Sequence, residues 1–206
     1  MLSRETLLNH YAEYASQPDE WVSNMEKTKR SIVAHVLHVV HFAPQQEPLR
    51  VVVLGASDKR YIPIHERVFR AATGRAIAMK TFDIDTAHLG GESAAVVSHD
   101  VTQSFPDAPY DIIFSHELMK FLTPDEQFRA IKNSYDALAS GGVAMHIVHE
   151  PSIKGAAELR VWQNRVDPDV LIEKLASADI HAAELVFASE SDVAWLRETT
   201  VIVVRK

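Results

Sequence analysis

The sequence lacks cysteine altogether, and this absence excludes disulfide bonds, thiolate metal sites and cysteine nucleophiles. No apolar run approaches the roughly 20 residues that a helix needs to span a bilayer. Residues 1–20 include several acids and lack the apolar core of a signal peptide. We therefore expect a cytoplasmic protein that has no membrane partner.

Basic residues are also in the minority. The net charge is -7 over 206 residues, which argues against a broad nucleic-acid-binding surface, so no nucleic-acid partner is expected. The dense basic run Lys27-Thr28-Lys29-Arg30 is interpreted as a solvated helix face. The length suits one domain with a substantial core, and the composition leaves the oligomeric state open.

The stretch from Arg50 to Arg70 predicts a strand, a turn and a helix. Residues 51–54 (VVVL) are continuously apolar, which is typical of a strand covered on both faces. Gly55 then allows a sharp turn and a close approach of the backbone to a ligand. The N–H groups that open the next helix favour polar or anionic ligand atoms at the same place. The stretch is a candidate cofactor-binding loop.

Strands and helices alternate along the rest of the chain. Two helices are predicted within residues 3–42, with a break near residues 17–19 and a proline-containing linker at 43–48. Strands are predicted at 76–83, 94–98, 110–115, 143–148, 184–188 and 199–204. This order predicts a doubly wound α/β fold. We expect a single domain over residues 1–206, with a helical extension at 1–45 and a core at 49–206.

Two later helices have clear start signals. Thr123, followed by Pro124 and Glu126, forms a capping-box pattern, and the pair Gly141-Gly142 is expected to end that helix. Asp167 starts the second helix, in which Val170, Leu171, Leu175 and Ala178 are expected to face the core.

Ligands of doubly wound folds bind beyond the carboxyl ends of the strands. The polar residues that follow predicted strands are therefore expected around one crevice. They are Gly55–Asp58, Asp83, Asp100, Ser115–Glu117 and His149-Glu150.

The order and spacing of these features resemble the class I S-adenosylmethionine-dependent methyltransferases. The resemblance covers about residues 49–206 and includes the turn at Val53–Ser57, the strand-end acids Asp83 and Asp100, and segments 110–118 and 138–145. It implies a Rossmann-like, seven-stranded, mainly parallel sheet with an antiparallel final strand. It also implies S-adenosylmethionine as the cofactor and methyl transfer to an acceptor, which we expect to be a small molecule.

The resemblance assigns roles to individual residues. It implies that the Gly55 turn cradles the methionine part, that Asp83 binds the ribose hydroxyls and that Asp100 reads the adenine amino group. Simpler interpretations stay open, since Asp83 can cap the next helix and Asp100 can stabilise a turn. The full predicted cofactor-binding set is Gly55, Ala56, Ser57, Asp83, Ile84, Asp100, Val101 and Ser115.

Proton transfer from the acceptor, if the reaction needs it, has three candidates. His116, His149 and Glu150 follow strands at the predicted crevice, and a histidine of near-neutral pKa can accept a proton. The alternative for each histidine is an ordinary hydrogen-bonded residue at a strand end. Residues 151–166, with Trp162 and Arg160 or Arg165, are candidates for the acceptor pocket, together with the N-terminal helices.

One departure from the family pattern keeps a second function open. The family's first motif usually has an acid two residues before its first glycine, and further glycines at alternate positions. Here Val53 replaces the acid, and Ser57 and Lys59 replace glycines. The alternative is therefore a catalytically inactive, methyltransferase-like domain that acts as a binding or scaffold protein. A nicotinamide-dependent enzyme is disfavoured because no G-x-G-x-x-G follows the first strand.

His35, His38 and His41 recur every three residues on the second predicted helix. Three residues are less than one helical turn of 3.6 residues, so the three side chains point in successively different directions. No acid lies among them. We interpret them as a partly buried stripe and expect no metal site.

Overall fold

The computed structural model describes residues 3–44, 46–90, 96–149, 159–188 and 198–206. Within these ranges the strands form one sheet. They are β1 Leu49–Leu54, β2 Ile77–Asp83, β3 Val96–Ser98, β4 Tyr110–His116, β5 Leu138–His149, β6 Ala182–Ala188 and β7 Glu198–Arg205.

The strand order is β3-β2-β1-β4-β5-β7-β6. The strands β1 to β5 pair in parallel, whereas β7 lies antiparallel to both β5 and β6. The chain thus turns outwards from β1 in both directions, as a doubly wound fold requires. The predicted seven-stranded, mainly parallel sheet with an antiparallel final strand is confirmed.

The described helices are α1 Arg4–Ala15, α2 Asp19–Val39, α3 Tyr61–Thr73, α4 Pro124–Asp136 and α5 Pro168–Ala176. Their ends follow local signals. Thr123 and Glu126 form the predicted capping box at the start of α4, and the side chain of Asp167 accepts from the N–H of Val170 at the start of α5. None of the described helices is long and apolar enough to cross a membrane.

The sheet separates two hydrophobic cores because successive strand residues point to opposite faces. Val51 and Val53 pack with the helices α2 and α3 on one face. Val52 and Leu54 pack on the other face with α4 and α5. The continuously apolar sequence of β1 is therefore explained, as predicted, by burial on both sides.

The prediction for Gly141-Gly142 was wrong, because α4 already ends at Asp136 and both glycines lie inside β5. A Cβ atom on Gly142 would lie only 2.9 Å from the carbonyl oxygen of Ala139 and 3.1 Å from that of Tyr110. The β4–β5 register shifts between Tyr110 and Ile112. The glycine therefore allows a close backbone approach within the sheet rather than the end of a helix.

Two further expectations were wrong in part. Val170 is 47% exposed, and Ala178 is exposed beyond the end of α5, whereas Leu171 and Leu175 are buried in the core as expected. In the basic run of α2, Lys27 and Arg30 are exposed as expected, but Lys29 is only 4% exposed. Three predicted parts lie outside the described residues: positions 94–95 of the predicted third strand, Glu150, and the first half of the predicted acceptor region, 151–158.

Candidate functional site

A cavity of about 470 Å³ lies where the first four strands end. It is lined by residues that follow β1, β2, β3 and β4 and by side chains of α1 and α2. Of the predicted cofactor-binding residues, all but Ser115 line it: Gly55, Ala56, Ser57, Asp83, Ile84, Asp100 and Val101. The fold therefore brings together positions that are far apart in the sequence.

The turn after β1 has a left-handed backbone conformation at two residues, Gly55 and Ser57. Gly55 has a φ of +89° and donates its N–H to the carbonyl of Phe82 at 2.7 Å. Ser57, which stands where the family pattern has glycine, has a φ of 57°. Serine rarely adopts this left-handed conformation. The Ser57 Oγ atom is buried and has no hydrogen-bond partner among the described residues, so it is available to a ligand.

The carboxylate of Asp83 holds the turn in place from the end of β2. Its Oδ2 atom accepts from the N–H of Ala56 at 2.7 Å, and its Oδ1 atom accepts from the Tyr11 hydroxyl at 2.9 Å and the N–H of Asp85 at 3.2 Å. A carboxylate offers about four lone-pair positions. Asp83 is therefore largely satisfied by the protein, and its bond to the Tyr11 hydroxyl is the one that a side-chain movement can release.

Asp100 follows β3 on the same side of the cavity. Its Oδ1 atom accepts from both the N–H and the hydroxyl of Thr102, at 2.9 and 2.8 Å. Asp100 thus does stabilise a turn, as the simpler interpretation held, but these bonds use only one of its two carboxylate oxygens. The other oxygen is chemically suited to accept from an exocyclic amine.

The helix α1 covers the cavity and is anchored to the β1–α3 loop. The Tyr11 ring stacks on His88 with centroids 3.6 Å apart and planes 6° apart. Burial, reinforced by the neighbouring Asp83 carboxylate, raises the pKa of Tyr11.

Arg60, at the start of α3, anchors the end of α1. It donates to the carbonyls of Tyr14 and Gln17 at 3.0 and 2.9 Å and pairs with Asp58 at 2.6 Å.

An aromatic wall lines another part of the cavity; it consists of His10, Tyr14, Phe121 and Trp162. The centroid of His10 lies 4.5 Å from that of Tyr14 and 4.6 Å from that of Phe121, and Phe121 stacks on Trp162 at 5.0 Å. Burial, helped by the charge of nearby Lys120, lowers the pKa of His10 to about 4. The imidazole is therefore neutral at physiological pH.

A buried ion pair adjoins this wall at the end of β4. Lys120 Nζ lies 2.6 Å from a carboxylate oxygen of Glu117. Burial opposes the charge of Lys120, but the Glu117 carboxylate outweighs it and raises the pKa of the lysine. Glu117 has a φ of 58°, and its N–H donates to the carbonyl of Ile147. The pair gives the cavity a fixed local dipole.

The predicted catalytic residues and Ser115 have different positions. His116 is half-buried and lines the cavity. Ser115 is fully buried, does not line the cavity, and its Oγ lies 2.9 Å from Nδ1 of His146 in the neighbouring strand. His149 ends β5, but its side chain and the whole of Glu150 lie outside the described residues. The roles of His116, His149 and Glu150 stay predictions.

The predicted acceptor region reaches the cavity in part. Trp162 and Arg160 line it, whereas Arg165 does not. Arg160 forms a bidentate ion pair with Glu13 of α1, at 2.7 and 2.9 Å. Residues 159–163 and α1 are thereby connected across the aromatic wall.

The three regularly spaced histidines lie away from the cavity. The prediction of a partly buried stripe was wrong, because His35, His38 and His41 are exposed, and none of them lines the cavity. In the part of the chain that the structure describes, no group of three or more His, Asp or Glu side chains is arranged to hold a metal ion.

A buried basic pair completes the cavity lining. Lys29 of α2 and His65 of α3 are 4% and 3% exposed, and Lys29 Nζ lies 2.8 Å from His65 Nε2. Burial lowers the pKa of Lys29 to about 7. Burial, together with the charge of Lys29, lowers the pKa of His65 well below its ordinary value.

Sequence reasoning missed Tyr11, Lys29 and His65 as site residues. A signal for Lys29 was present, because Met25, Lys29 and Val33 are spaced four residues apart and share one helix face. A lysine inside an apolar stripe is a candidate for burial. For Tyr11, the sequence indicated only a place on the apolar face of a helix, and nothing in it indicated the contact with Asp83.

No protein-family model matches the sequence, and no curated protein matches it in a sequence comparison. Many solved structures share its fold. The N-methyltransferase NodS from Bradyrhizobium japonicum WM9, in complex with S-adenosyl-L-homocysteine, superimposes with a TM-score of 0.64 at 14% identity, covering 98% of this chain and 97% of NodS.

Two further structures give a similar result. The magnesium protoporphyrin IX methyltransferase ChlM from Synechocystis PCC 6803, with S-adenosyl-L-homocysteine bound, has a TM-score of 0.62 at 12% identity and covers 98% of this chain and 95% of ChlM. DhpI in a complex with SAM and HEP has a TM-score of 0.57 at 17% identity and covers 100% of both chains. At these identities the likeness shows the fold.

Proposed function

Because this chain has the fold of class I S-adenosylmethionine-dependent methyltransferases, we propose that it transfers a methyl group from S-adenosylmethionine to a small-molecule acceptor. The observation that carries the proposal is the cavity in which the Gly55 turn, Asp83 and Asp100 lie together at the ends of successive strands. Ligands of doubly wound folds bind at this edge of the sheet.

The residues present fit the cofactor. Gly55 leaves the backbone open to close approach, and the buried Ser57 Oγ is a free polar group beside it. Asp83 would hold the ribose once the Tyr11 hydroxyl releases its Oδ1 atom. Asp100 would accept from the adenine amino group with the oxygen that Thr102 does not use. Ile84 and Val101 would supply apolar walls for the purine.

The cofactor supplies an activated methyl group on a sulfonium sulfur. What the protein must add is the position of the acceptor, the exclusion of water and, for some acceptors, a proton acceptor. The aromatic wall formed by His10, Tyr14, Phe121 and Trp162 would pack against the acceptor. His116, at the end of β4, would accept its proton, and His149 and Glu150 stay candidates for that role.

The size and charge of the chain support a small acceptor. The cavity of about 470 Å³ is within the range of small-molecule sites, and the net charge of -7 disfavours nucleic acid. ChlM is a magnesium protoporphyrin IX methyltransferase, so a protein of the same fold acts on an acceptor of this kind.

A second candidate, an inactive binding or scaffold domain of the same fold, is favoured by two observations. Val53 replaces the usual acid of the first motif. The Tyr11 hydroxyl occupies the carboxylate that would bind the ribose. Both observations concern the affinity for the cofactor, so cofactor binding separates the two candidates.

The test is a calorimetric titration of the purified chain with S-adenosylmethionine and S-adenosylhomocysteine, repeated on Asp83→Asn. We expect binding that weakens about tenfold or more in the variant, because a charge-assisted hydrogen bond is replaced by a neutral one. Asp111→Asn is the matched control. Asp111 is as buried as Asp83 and accepts from the N–H of Arg50 at 2.7 Å, but it does not line the cavity.

The outcomes distinguish the two functions. If the wild-type chain binds neither ligand, the methyltransferase proposal is wrong and the scaffold alternative is supported. If Asp83→Asn and Asp111→Asn weaken binding equally, the loss reflects the fold, and Asp83 has no direct role in binding.

A further inference from the structure

Lys29 of α2 and His65 of α3 form a buried contact between two basic groups. Lys29 makes no ion pair with a carboxylate among the described residues, and its partner is another base. A buried ammonium group without a counter-ion is energetically unfavourable, because it loses its hydration and gains no opposite charge. Such a costly arrangement is typical of functional sites rather than of packing.

Both side chains also face the place where a ligand would bind. Lys29 and His65 line the same cavity as Gly55 and Val53. The second nitrogen of His65, Nδ1, is buried and has no partner among the described residues. The pair therefore has hydrogen-bonding capacity that the protein leaves unused.

On the basis of the proposed function, we propose that Lys29 and His65 form a carboxylate-binding subsite for the methionine end of the cofactor, and that this chain recognises that end by its carboxylate rather than by its ammonium group. In the ligand-free protein, His65 is the partner of Lys29. In the complex, the ligand carboxylate takes that place and supplies the missing negative charge.

The sequence of the first strand supports recognition of the carboxylate rather than of the ammonium group. Val53 stands where the family pattern has an acid, and it is 1% exposed. The strand β1 therefore offers no carboxylate to an ammonium group, whereas α2 offers Lys29 to a carboxylate. Relative to the family pattern, the cavity lacks the acid at position 53 and has a basic side chain, Lys29, on α2.

In the described ranges of the chain, the other ionisable groups near the pair do not neutralise its charge. From α3, Tyr61 lies under Lys29, with Nζ 4.2 Å from the ring centroid. Burial raises the pKa of Tyr61 to about 12, so this ring stays uncharged. Tyr14 of α1 and the Asp58–Arg60 ion pair act on Tyr61, and Asp58 is already bound by Arg60. A ligand carboxylate is the counter-ion that the site lacks.

Two analogues of S-adenosylhomocysteine provide a sharp test. In one, the amino group of the methionine part is replaced by hydrogen, so that only the carboxylate remains. In the other, the carboxylate is replaced by hydrogen, so that only the amine remains. We expect the wild-type chain to bind the carboxylate analogue about tenfold or more tightly than the amine analogue, as a charge-assisted hydrogen bond allows.

The same pair of analogues is then measured on Lys29→Met, with Lys27→Met as the exposed control on the same helix. We expect the preference to disappear in Lys29→Met and to persist in Lys27→Met. Because the preference is a ratio measured on one variant, partial unfolding cancels out of it. The double variant Lys29→Met/His65→Phe removes both partners and is expected to lack the preference as well. No acceptor is present, so a carboxylate of the acceptor cannot produce the effect.

Each other outcome overturns the inference. If the wild-type chain prefers the amine analogue or neither, or if Lys29→Met keeps the preference, the subsite is wrong while the proposed function stands. Methylthioadenosine, which lacks the whole amino-acid part, separates that case from failure of the proposed function. If methylthioadenosine, S-adenosylhomocysteine and both analogues all fail to bind, the chain does not bind the cofactor and both proposals fall.

A second readout reports on Lys29 directly. A carboxylate beside Lys29 stabilises its charged form, so binding at pH 8 should be accompanied by proton uptake. Titrations in buffers of different ionisation enthalpy measure this uptake. We expect it for S-adenosylhomocysteine and for the carboxylate analogue, and not for methylthioadenosine or for the Lys29→Met variant. Equal uptake with methylthioadenosine would contradict a role of the carboxylate.

Discussion

The hydroxyl of Tyr11 donates to Oδ1 of Asp83 at 2.9 Å, across 72 residues of sequence. The bond joins the helix α1 to the end of β2, and both side chains are buried. Asp83 is also the residue proposed to bind the ribose. A side chain of the helix that covers the cavity therefore satisfies one oxygen of the Asp83 carboxylate.

The first prediction concerns this competition. Tyr11→Phe should lower the free energy of unfolding by about 1–3 kcal/mol, because a buried hydrogen bond to a charged group is lost. It should also tighten the binding of S-adenosylhomocysteine several-fold, since the ligand no longer has to displace the hydroxyl. Denaturant unfolding and calorimetric titration measure the two effects.

The matched control is Tyr110→Phe. The hydroxyl of Tyr110 donates to the carbonyl of Pro106 at 2.6 Å, and Tyr110 does not line the cavity. This variant should also lose stability, but its affinity for S-adenosylhomocysteine should not change. Weaker binding by Tyr11→Phe would show that the hydroxyl stays in contact with Asp83 or the ligand in the complex.

The parts of the fold that could be predicted are those encoded by neighbouring residues. The apolar run of β1, the Gly55 turn and the capping box at Thr123 each depend on residues within about one turn or one strand. These local patterns predict where each strand ends. Because parallel strands end at the same edge of the sheet, they also predict that Asp83 and Asp100 lie at one edge. The number of strands and the antiparallel final strand came from the family resemblance, whereas the order of the strands was not predicted.

The parts that could not be predicted depend on long-range contacts. A glycine pair after a helical pattern indicates a helix end. Only the pairing of β4 with β5 shows that Gly142 lies inside a strand and allows the backbone of Tyr110 to approach closely. Neighbouring residues of a strand point in opposite directions, so an error of one residue in placing β4 would exchange the two positions. His116 lines the cavity, while Ser115 contacts His146. The contact between Tyr11 and Asp83 has no local signal.

The second prediction concerns the backbone at Ser57, whose φ is 57°. Ser57→Gly should be more stable than Ser57→Ala by about 1 kcal/mol, because glycine adopts this conformation without a steric cost. This is the reverse of the usual order of the two residues. Thermal and denaturant unfolding of the two variants test it. Equal stability would mean that the left-handed conformation at Ser57 carries no cost.

The same two variants examine the buried Ser57 hydroxyl as a ligand contact. Both lack the Oγ atom, so both should bind S-adenosylhomocysteine a few-fold more weakly than the wild-type chain, whatever their difference in stability. Ser98→Ala is a suitable control, since Ser98 is exposed and does not line the cavity. Unchanged affinity in the Ser57→Ala variant would exclude the hydroxyl from binding.

The third prediction concerns the pH dependence of stability. The pKa of Lys29 is lowered to about 7 by burial, whereas an unfolded lysine has a pKa of about 10.4. Between these values the unfolded chain binds one proton more than the folded chain, so this group makes stability rise with pH, by at most about 1.4 kcal/mol per pH unit. Below pH 7 the lysine is charged in both states and contributes no slope.

Lys29→Met should remove this contribution. The difference in unfolding free energy between wild type and variant should shift in favour of the wild type as the pH rises from 7 to about 10. Urea unfolding at several pH values measures it, and Lys27→Met should show no such trend because Lys27 is exposed. A constant difference across this range would mean that Lys29 keeps an ordinary pKa in the folded protein.

The fourth prediction concerns Arg60, which connects the cavity loop to the end of α1. Its guanidinium binds Asp58 and Asp19 and the carbonyls of Tyr14 and Gln17. Arg60→Ala should cost about 1–3 kcal/mol of stability, because several partly buried hydrogen bonds are lost together and the buried Asp58 loses its ion-pair partner. Since α1 is held at this point, its amide hydrogens should exchange faster in the variant.

Hydrogen exchange followed by mass spectrometry locates the effect. Protection should fall in residues 4–15, while the strands β1 and β4 keep theirs. Arg67→Ala is the matched control on the neighbouring helix α3: Arg67 pairs with Glu26 at 2.7 Å, but its side chain is 57% exposed. Exposed pairs contribute at most about 1 kcal/mol. If Arg60→Ala leaves the exchange of α1 unchanged, the aromatic wall and the Tyr11–Asp83 bond suffice to hold that helix over the cavity.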